Sequence, residues 1–170
     1  METMGDRILT AIYCDDVRHE VGEKMSFMGC YQGELNVTTA PVVLPKLCIY
    51  ATLLTPKDRP VRRVKWSVLL NDETEIAWME ISPEELGKIV IKPDATSSKV
   101  AMHTVLTFAP YVIEQPSMLR VVAETEEGKI IGPRLLINVI SAPPQADFTQ
   151  PVAEPVATKA AKPRKKSAKA

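Results

Sequence analysis

The sequence predicts an all-β fold: a two-sheet antiparallel β-sandwich, Ig-like or similar, followed by a disordered C-terminal tail. Three observations carry this. Short runs rich in Val, Ile and Leu are separated by Pro, Gly, Asn and Asp, the texture of strands and turns. Two pairs of such runs have hairpin spacing. No window of twelve or more residues keeps a helical period. The chain has 170 residues, of which 45% are hydrophobic and 25% charged. That is enough for one domain with a core, and too little for two full-sized ones. The domain is expected over 1–141 and the tail over 142–170.

Ile8–Cys14 is the first strand candidate. Asp15–Lys24 reads as a polar loop. Ser26–Gly33 reads as a second strand, extended by Glu34–Thr38 after a kink at Gly33. Lys46–Thr55 is a third, bounded by Pro45 and Pro56. Val64, Trp66, Val68 and Leu70 alternate with polar residues, and Asn71–Thr74 turns the chain into Glu75–Ile81. Ser82 and Pro83 read as an N-cap and a first helical residue, and Gly87 ends that helix at once. Ile89–Ile91 is a short strand candidate. Ala101–Val112 is a long one, with a bulge or edge expected at Pro110. Met118–Thr125 and Lys129–Val139 form a second hairpin across Glu126-Glu127-Gly128, with an edge or bulge at Pro133. The total is about eight strands.

The charge is unevenly spread. Residues 1–150 hold 15 Lys and Arg against 20 Asp and Glu, a net of −5. Residues 151–170 hold six basic residues against one acid, a net of +5. A mildly acidic body with a basic tail suggests a solvated interaction tail rather than a nucleic-acid-binding body. Lys159, Lys162, Arg164, Lys165, Lys166 and Lys169 are the candidate nucleic-acid contacts. They would neutralise phosphates without reading sequence, as in the Lys-Ala-Pro tails of linker histones and bacterial nucleoid proteins, which the segment resembles. Phe148 is the one large apolar residue of the tail and is a candidate anchor.

Three cysteines, Cys14, Cys30 and Cys48, sit in apolar runs, without C-x-x-C spacing. This argues against a disulfide framework or a thiolate zinc site and favours a reducing, cytoplasmic setting. No signal peptide or membrane-spanning run is visible, so no membrane partner is expected. The sequence has no nucleophile elbow, P-loop or dinucleotide fingerprint, and no catalytic residue, metal ligand or cofactor is assigned.

Asp15-Asp16-Val17-Arg18-His19-Glu20 is the densest chemical stretch. Three carboxylates and an imidazole are the types that bind a divalent metal or move protons, but the spacing fits no metal motif. The plainer reading is a solvated loop with Arg18 paired to an acid. Asp15, Asp16, Arg18, His19, Glu20 and Lys24 together form a candidate partner-binding loop. His103 reads as structural or surface-exposed. Arg59, Arg62, Arg63 and Lys65 cluster beside Trp66, which alternation turns inward while Arg63 and Lys65 face solvent.

The N-terminal half resembles an uncharacterised family of bacterial and phage proteins of unknown function. The carrying residues are Cys14–Glu20, Gly22–Tyr31, Glu34-Leu35 and Val43–Leu47. The pattern is a strand ending C-D-D, an R-x-E-x-G-x-K segment and a strand S-x-x-G-x-Y. The likeness follows the layout of residues 8–140 and is specific over 13–48. It implies a compact β domain and a bacterial or phage source, and it implies no activity. The motif also has a physical reading. Gly22 suits a turn with positive φ. Gly29 permits a bulge or a close backbone approach.

The expectation is therefore a non-enzymatic binding or accessory protein of the bacterial cytoplasm or a phage-infected cell, acting on an unknown protein partner. The alternatives are a nonspecific nucleic-acid-associated protein working through its tail, and a metal-dependent enzyme using Asp15, Asp16, His19 and Glu20.

Overall fold

The computed structural model describes residues 6–88 and 96–140. Twelve strands occur among them: β1 (Ile8–Cys14), β2 (Asp16–Glu20), β3 (Lys24–Met28), β4 (Glu34–Val37), β5 (Val42–Leu44), β6 (Leu47–Pro56), β7 (Val64–Leu70), β8 (Thr74–Ile81), β9 (Lys99–Phe108), β10 (Tyr111–Ile113), β11 (Ser117–Thr125) and β12 (Gly128–Val139). One short helix, α1 (Pro83–Leu86), follows β8. Ser82 caps it, as its sequence predicts, and Glu85 adds the reciprocal contact of a capping box.

Two main sheets face each other. One has the order β1-β6-β9 and the other β4-β12-β11-β7-β8. Period-two alternation explains the division of side chains. Leu9, Tyr13, Ile49, Ala51 and Leu53 point from the first sheet into the core. Trp66, Val68, Leu119, Val121 and Leu135 meet them from the second. The result is the expected sandwich-like all-β fold. It departs from purely antiparallel order at one place: β4 pairs with β12 in parallel.

Four expectations are corrected. Asp15–Lys24 is not a loop, because β2 and β3 pair as a hairpin with Asp16 opposite Met28 and Glu20 opposite Lys24. Ser26–Gly33 with its extension is not one strand. β3 ends before Gly29, and β4 joins the other layer. Ala101–Val112 is also split. Pro110 has no N–H for a ladder, and beyond it β10 leaves β9 to pair with β5. Cys30 is exposed rather than buried in an apolar run, whereas Cys14 and Cys48 are buried. Ile89–Ile91 and the tail 142–170, including Phe148 and its six basic residues, lie outside the described residues.

Pro133 sits in a bulge, one of the two expected outcomes. The register of β11 against β12 shifts between Arg120 and Val122. Gly132 makes the bulge possible, since a Cβ there would lie 2.7 Å from the Val121 carbonyl oxygen. The Tyr13 hydroxyl, reaching across from β1, donates to the Pro133 carbonyl at 2.8 Å and accepts the Val121 N–H at 3.2 Å. It thereby satisfies ladder groups that the bulge leaves without a strand partner.

A candidate recognition hairpin

The β2–β3 hairpin is built from residues whose charge hides their alternation. Val21-Gly22-Glu23 forms the turn, with Gly22 at φ +83° and Glu23 at φ +59°. One face carries Val17 opposite Phe27 and His19 opposite Met25. Phe27 rests edge-on against Tyr50 of β6, with ring centroids 4.9 Å apart. Tyr50 in turn stacks on His103 at 5.4 Å. The His103 Nδ1 lies 3.0 Å from the Thr52 hydroxyl, so this exposed imidazole is tied into the sheet surface.

The other face is polar and cross-linked. The Asp16 carboxylate accepts from Lys46 Nζ at 2.7 Å and from Arg18 Nε at 3.0 Å. The hydrogen bond from Lys46, then that from Arg18, hold its pKa down to about 2. The same contact with Asp16 holds the Lys46 ammonium above its ordinary value. Ser26 donates to Glu20 at 2.9 Å, and Lys24 stands opposite Glu20 in the ladder. At the tip, Val21 is 95% exposed.

The base of the hairpin is a clasp. The Asp15 N–H donates to the Met28 carbonyl at 2.9 Å. The Asp15 carboxylate accepts from the Tyr31 hydroxyl. Burial, and then that bond to an anion, raise the Tyr31 pKa. The Tyr31 N–H donates to the Tyr13 carbonyl at 2.8 Å. Gly29, at φ +64°, lies so close to Asp15 that a Cβ would fall 1.9 Å from its Oδ2. The C-D-D and G-x-Y parts of the motif are therefore two halves of one joint.

The buried Cys14 thiol donates to the Asp16 carbonyl at 3.5 Å. Burial, then the neighbouring Cys48, Cys30 and Asp15, push its pKa up to about 11. That is the direction opposite to nucleophile activation. Cys48 stands directly opposite Cys14 in the ladder.

Of the six residues predicted for this site, Asp16 and Arg18 are brought together, and Glu20 and Lys24 share their face. His19 lies on the other face, and Asp15 belongs to the joint. Among the described residues, no three His, Cys, Asp or Glu side chains are grouped to hold a metal ion. Sequence reading included Lys46 and Tyr31 in the resemblance but assigned neither to the site, and it missed the tip Val21. Lys46 follows Pro45 at a strand start, and nothing local ties it to Asp16.

A second polar centre was also not foreseen. The Arg7 guanidinium is 3% exposed, and it donates to Thr125 at 2.8 Å and pairs with Glu126 at 2.5 Å. Burial raises the Glu126 pKa, but Arg7 and the N–H groups of its own residue, Arg62 and Arg63 outweigh that and hold it at about 2. This centre fastens the 57–63 segment to the β11–β12 turn. Of the basic cluster, Arg63 is exposed and Trp66 fully buried, as alternation predicts.

Two apolar clefts lie away from the hairpin. One of about 270 Å³ is bordered by Val61, Leu86, Met102 and His103. The other, of about 300 Å³, is bordered by Phe108, Tyr111 and Ile113. Neither lining combines groups for paired acid and base chemistry. No helix among the described residues is long and apolar enough to cross a membrane.

No curated protein matches the chain. One family does, described only as a family of unknown function, DUF6941, and the match runs over residues 9–138. It spans the sandwich from β1 into the end of β12 and contains the whole clasped hairpin, and the chain belongs to this family of unknown function.

Proposed function

We propose that the chain is a binding or accessory protein that presents the β2–β3 hairpin to a protein partner. One observation carries the reading: a hairpin fixed at its base and along its polar face holds an unpartnered apolar side chain, Val21, at its tip. A fixed protrusion loses little conformational entropy on binding. A lone exposed valine is ordinary on a surface; what suits Val21 to a protein contact is its place at the end of a fixed protrusion. Three free thiols and the resemblance in Cys14–Tyr31 support a cytoplasmic setting in a bacterium or a phage-infected cell. A second reading rests on the six basic residues between Lys159 and Lys169. They would add nonspecific attachment to nucleic acid that weakens steeply with salt.

The test is quantitative capture by the tagged full chain, its Val21→Asp variant and its Arg18→Ala variant, after nuclease treatment. The expected result is a protein retained by the wild-type chain and reduced about tenfold or more by either change, an effect of about 1.4 kcal/mol. Thermal melts would shift little, because Val21 is exposed and the Arg18–Asp16 pair is a solvent-screened surface pair. Equal capture by all three chains overturns the hairpin reading. Capture that disappears with nuclease transfers the activity to the tail.

A further inference from the structure

The outward face of the five-stranded sheet carries a pattern that no reading of the hairpin uses. Three rows of side chains cross strands β8, β7, β11 and β12. The first row is Glu80, Lys65, Glu124, Lys129. The second is Trp78, Ser67, Val122, Ile131. The third is Glu75, Leu69, Arg120, Arg134. The middle row is open only at its two ends: Trp78 is 61% exposed and Ile131 55%, while Ser67 and Val122 between them are buried. The Lys65 ammonium lies 5.4 Å from the centre of the Trp78 ring. A row with an exposed Trp between two charged rows has the composition of an interaction surface.

The order of charges in the first row selects the occupant. We propose that this face takes a second copy of the same chain, related by a two-fold axis that runs along the strands between β7 and β11. Such an axis lays each row on itself in reverse. Glu80 then meets Lys129 of the second copy, and Lys65 meets Glu124. Trp78 lies on Ile131, while Glu75 keeps its partners within the chain, Lys65 at 2.9 Å and Ser67 at 2.7 Å. The first row becomes oppositely paired by the one operation, and Lys65 keeps Glu75 as a second carboxylate within the chain. A partner with a uniformly acidic or basic surface would repel half of the first row.

Four strands about 4.8 Å apart and three rows about 6.8 Å apart give a footprint of roughly 400 Å² per copy. A standard interface takes about 800 Å² per partner. An interface of that size is a weak, transient one.

Sedimentation equilibrium of the full chain between about 1 µM and 1 mM tests this, with the variants Glu80→Lys, Lys129→Glu and the double variant. The wild-type chain is expected to pass from monomer to dimer. Each single charge reversal is expected to weaken the dimer tenfold or more, since each places two like-charge contacts in the interface. The double variant is expected to regain it. That rescue cannot come from within one chain. There the reversed charge at position 80 stands beside Lys65, and the reversed charge at position 129 beside Glu124, in the double variant as in the singles. Thermal melts confirm that each variant is folded.

A wild-type chain that stays monomeric throughout, or a double variant no better than the singles, overturns the proposal. Quenching of tryptophan fluorescence at the lowest concentration is the second measurement. Trp66 is buried, so the quenchable signal belongs to Trp78. A Trp78 already protected in the monomer means that the face is covered by the chain itself, and this also overturns the proposal.

Discussion

Tyr13 shows how one atom holds the two layers together. Its hydroxyl serves the Pro133 carbonyl and the Val121 N–H at the bulge opposite Gly132. A Tyr13→Phe change leaves both groups without that partner and costs about 1–3 kcal/mol in urea unfolding. Burial also raises the Tyr13 pKa from 10.0 to about 12, against a backbone hydrogen bond from Val121 that lowers it. Its neutral form is the folded form, so its contribution is complete below pH 10 and declines as pH rises towards 12. Cys14, pushed up to about 11, adds to the same decline. The Phe variant is therefore expected to lose stability less steeply between pH 10 and 12 than the wild-type chain. At this scale the sequence was partly legible. Gly29 was readable as a close approach, because a mid-motif glycine has few other uses. Its partner Asp15 was not, because the contact closes a hairpin that the sequence did not announce.

The hairpin is the element that sequence reading placed wrongly. Asp16–Glu20 alternates, but Asp16, Arg18 and Glu20 share one face and only Val17 and the exposed His19 the other. A pattern search for apolar periodicity therefore reads solvent on both faces. The turn signal at Gly22 was visible and correct. Phe27 on Tyr50 supplies the apolar side of the element from a strand more than twenty residues away. Asp16, held at about 2 by Lys46 and Arg18, gives the element a pH signature. A carboxylate with a lowered pKa supports the fold above its ordinary value of 3.8, and that support is lost as pH falls towards 2. Amide protection in β2 and β3 is expected to fall between about pH 4 and 2 ahead of that in β7 and β11, read by hydrogen exchange. In an Asp16→Asn variant the hairpin should be equally protected at both pH values. Ala101–Val112 failed for a different reason: apolar residues on both sides of Pro110 concealed a change of sheet there.

For the whole molecule, the sandwich was legible because alternation in β6, β7 and β11 is strong and their buried faces must meet. Strand order was not legible. The parallel pairing of β4 with β12 joins residues about a hundred positions apart, and the Arg7–Glu126 pair spans 119. No local propensity encodes either. The same holds for the open sheet face, whose rows exist only after β8, β7, β11 and β12 are placed in register. The two proposed surfaces are separate: a clasped hairpin for a different protein and a sheet face for a second copy. A photo-crosslinking residue placed at position 21 or at position 78 of the full chain, in the cells that express it, separates them. Position 21 is predicted to trap a different protein, and position 78 a second copy of this chain. No cross-link from position 21, or from it only the copy-to-copy product, would contradict the binding role assigned to the hairpin.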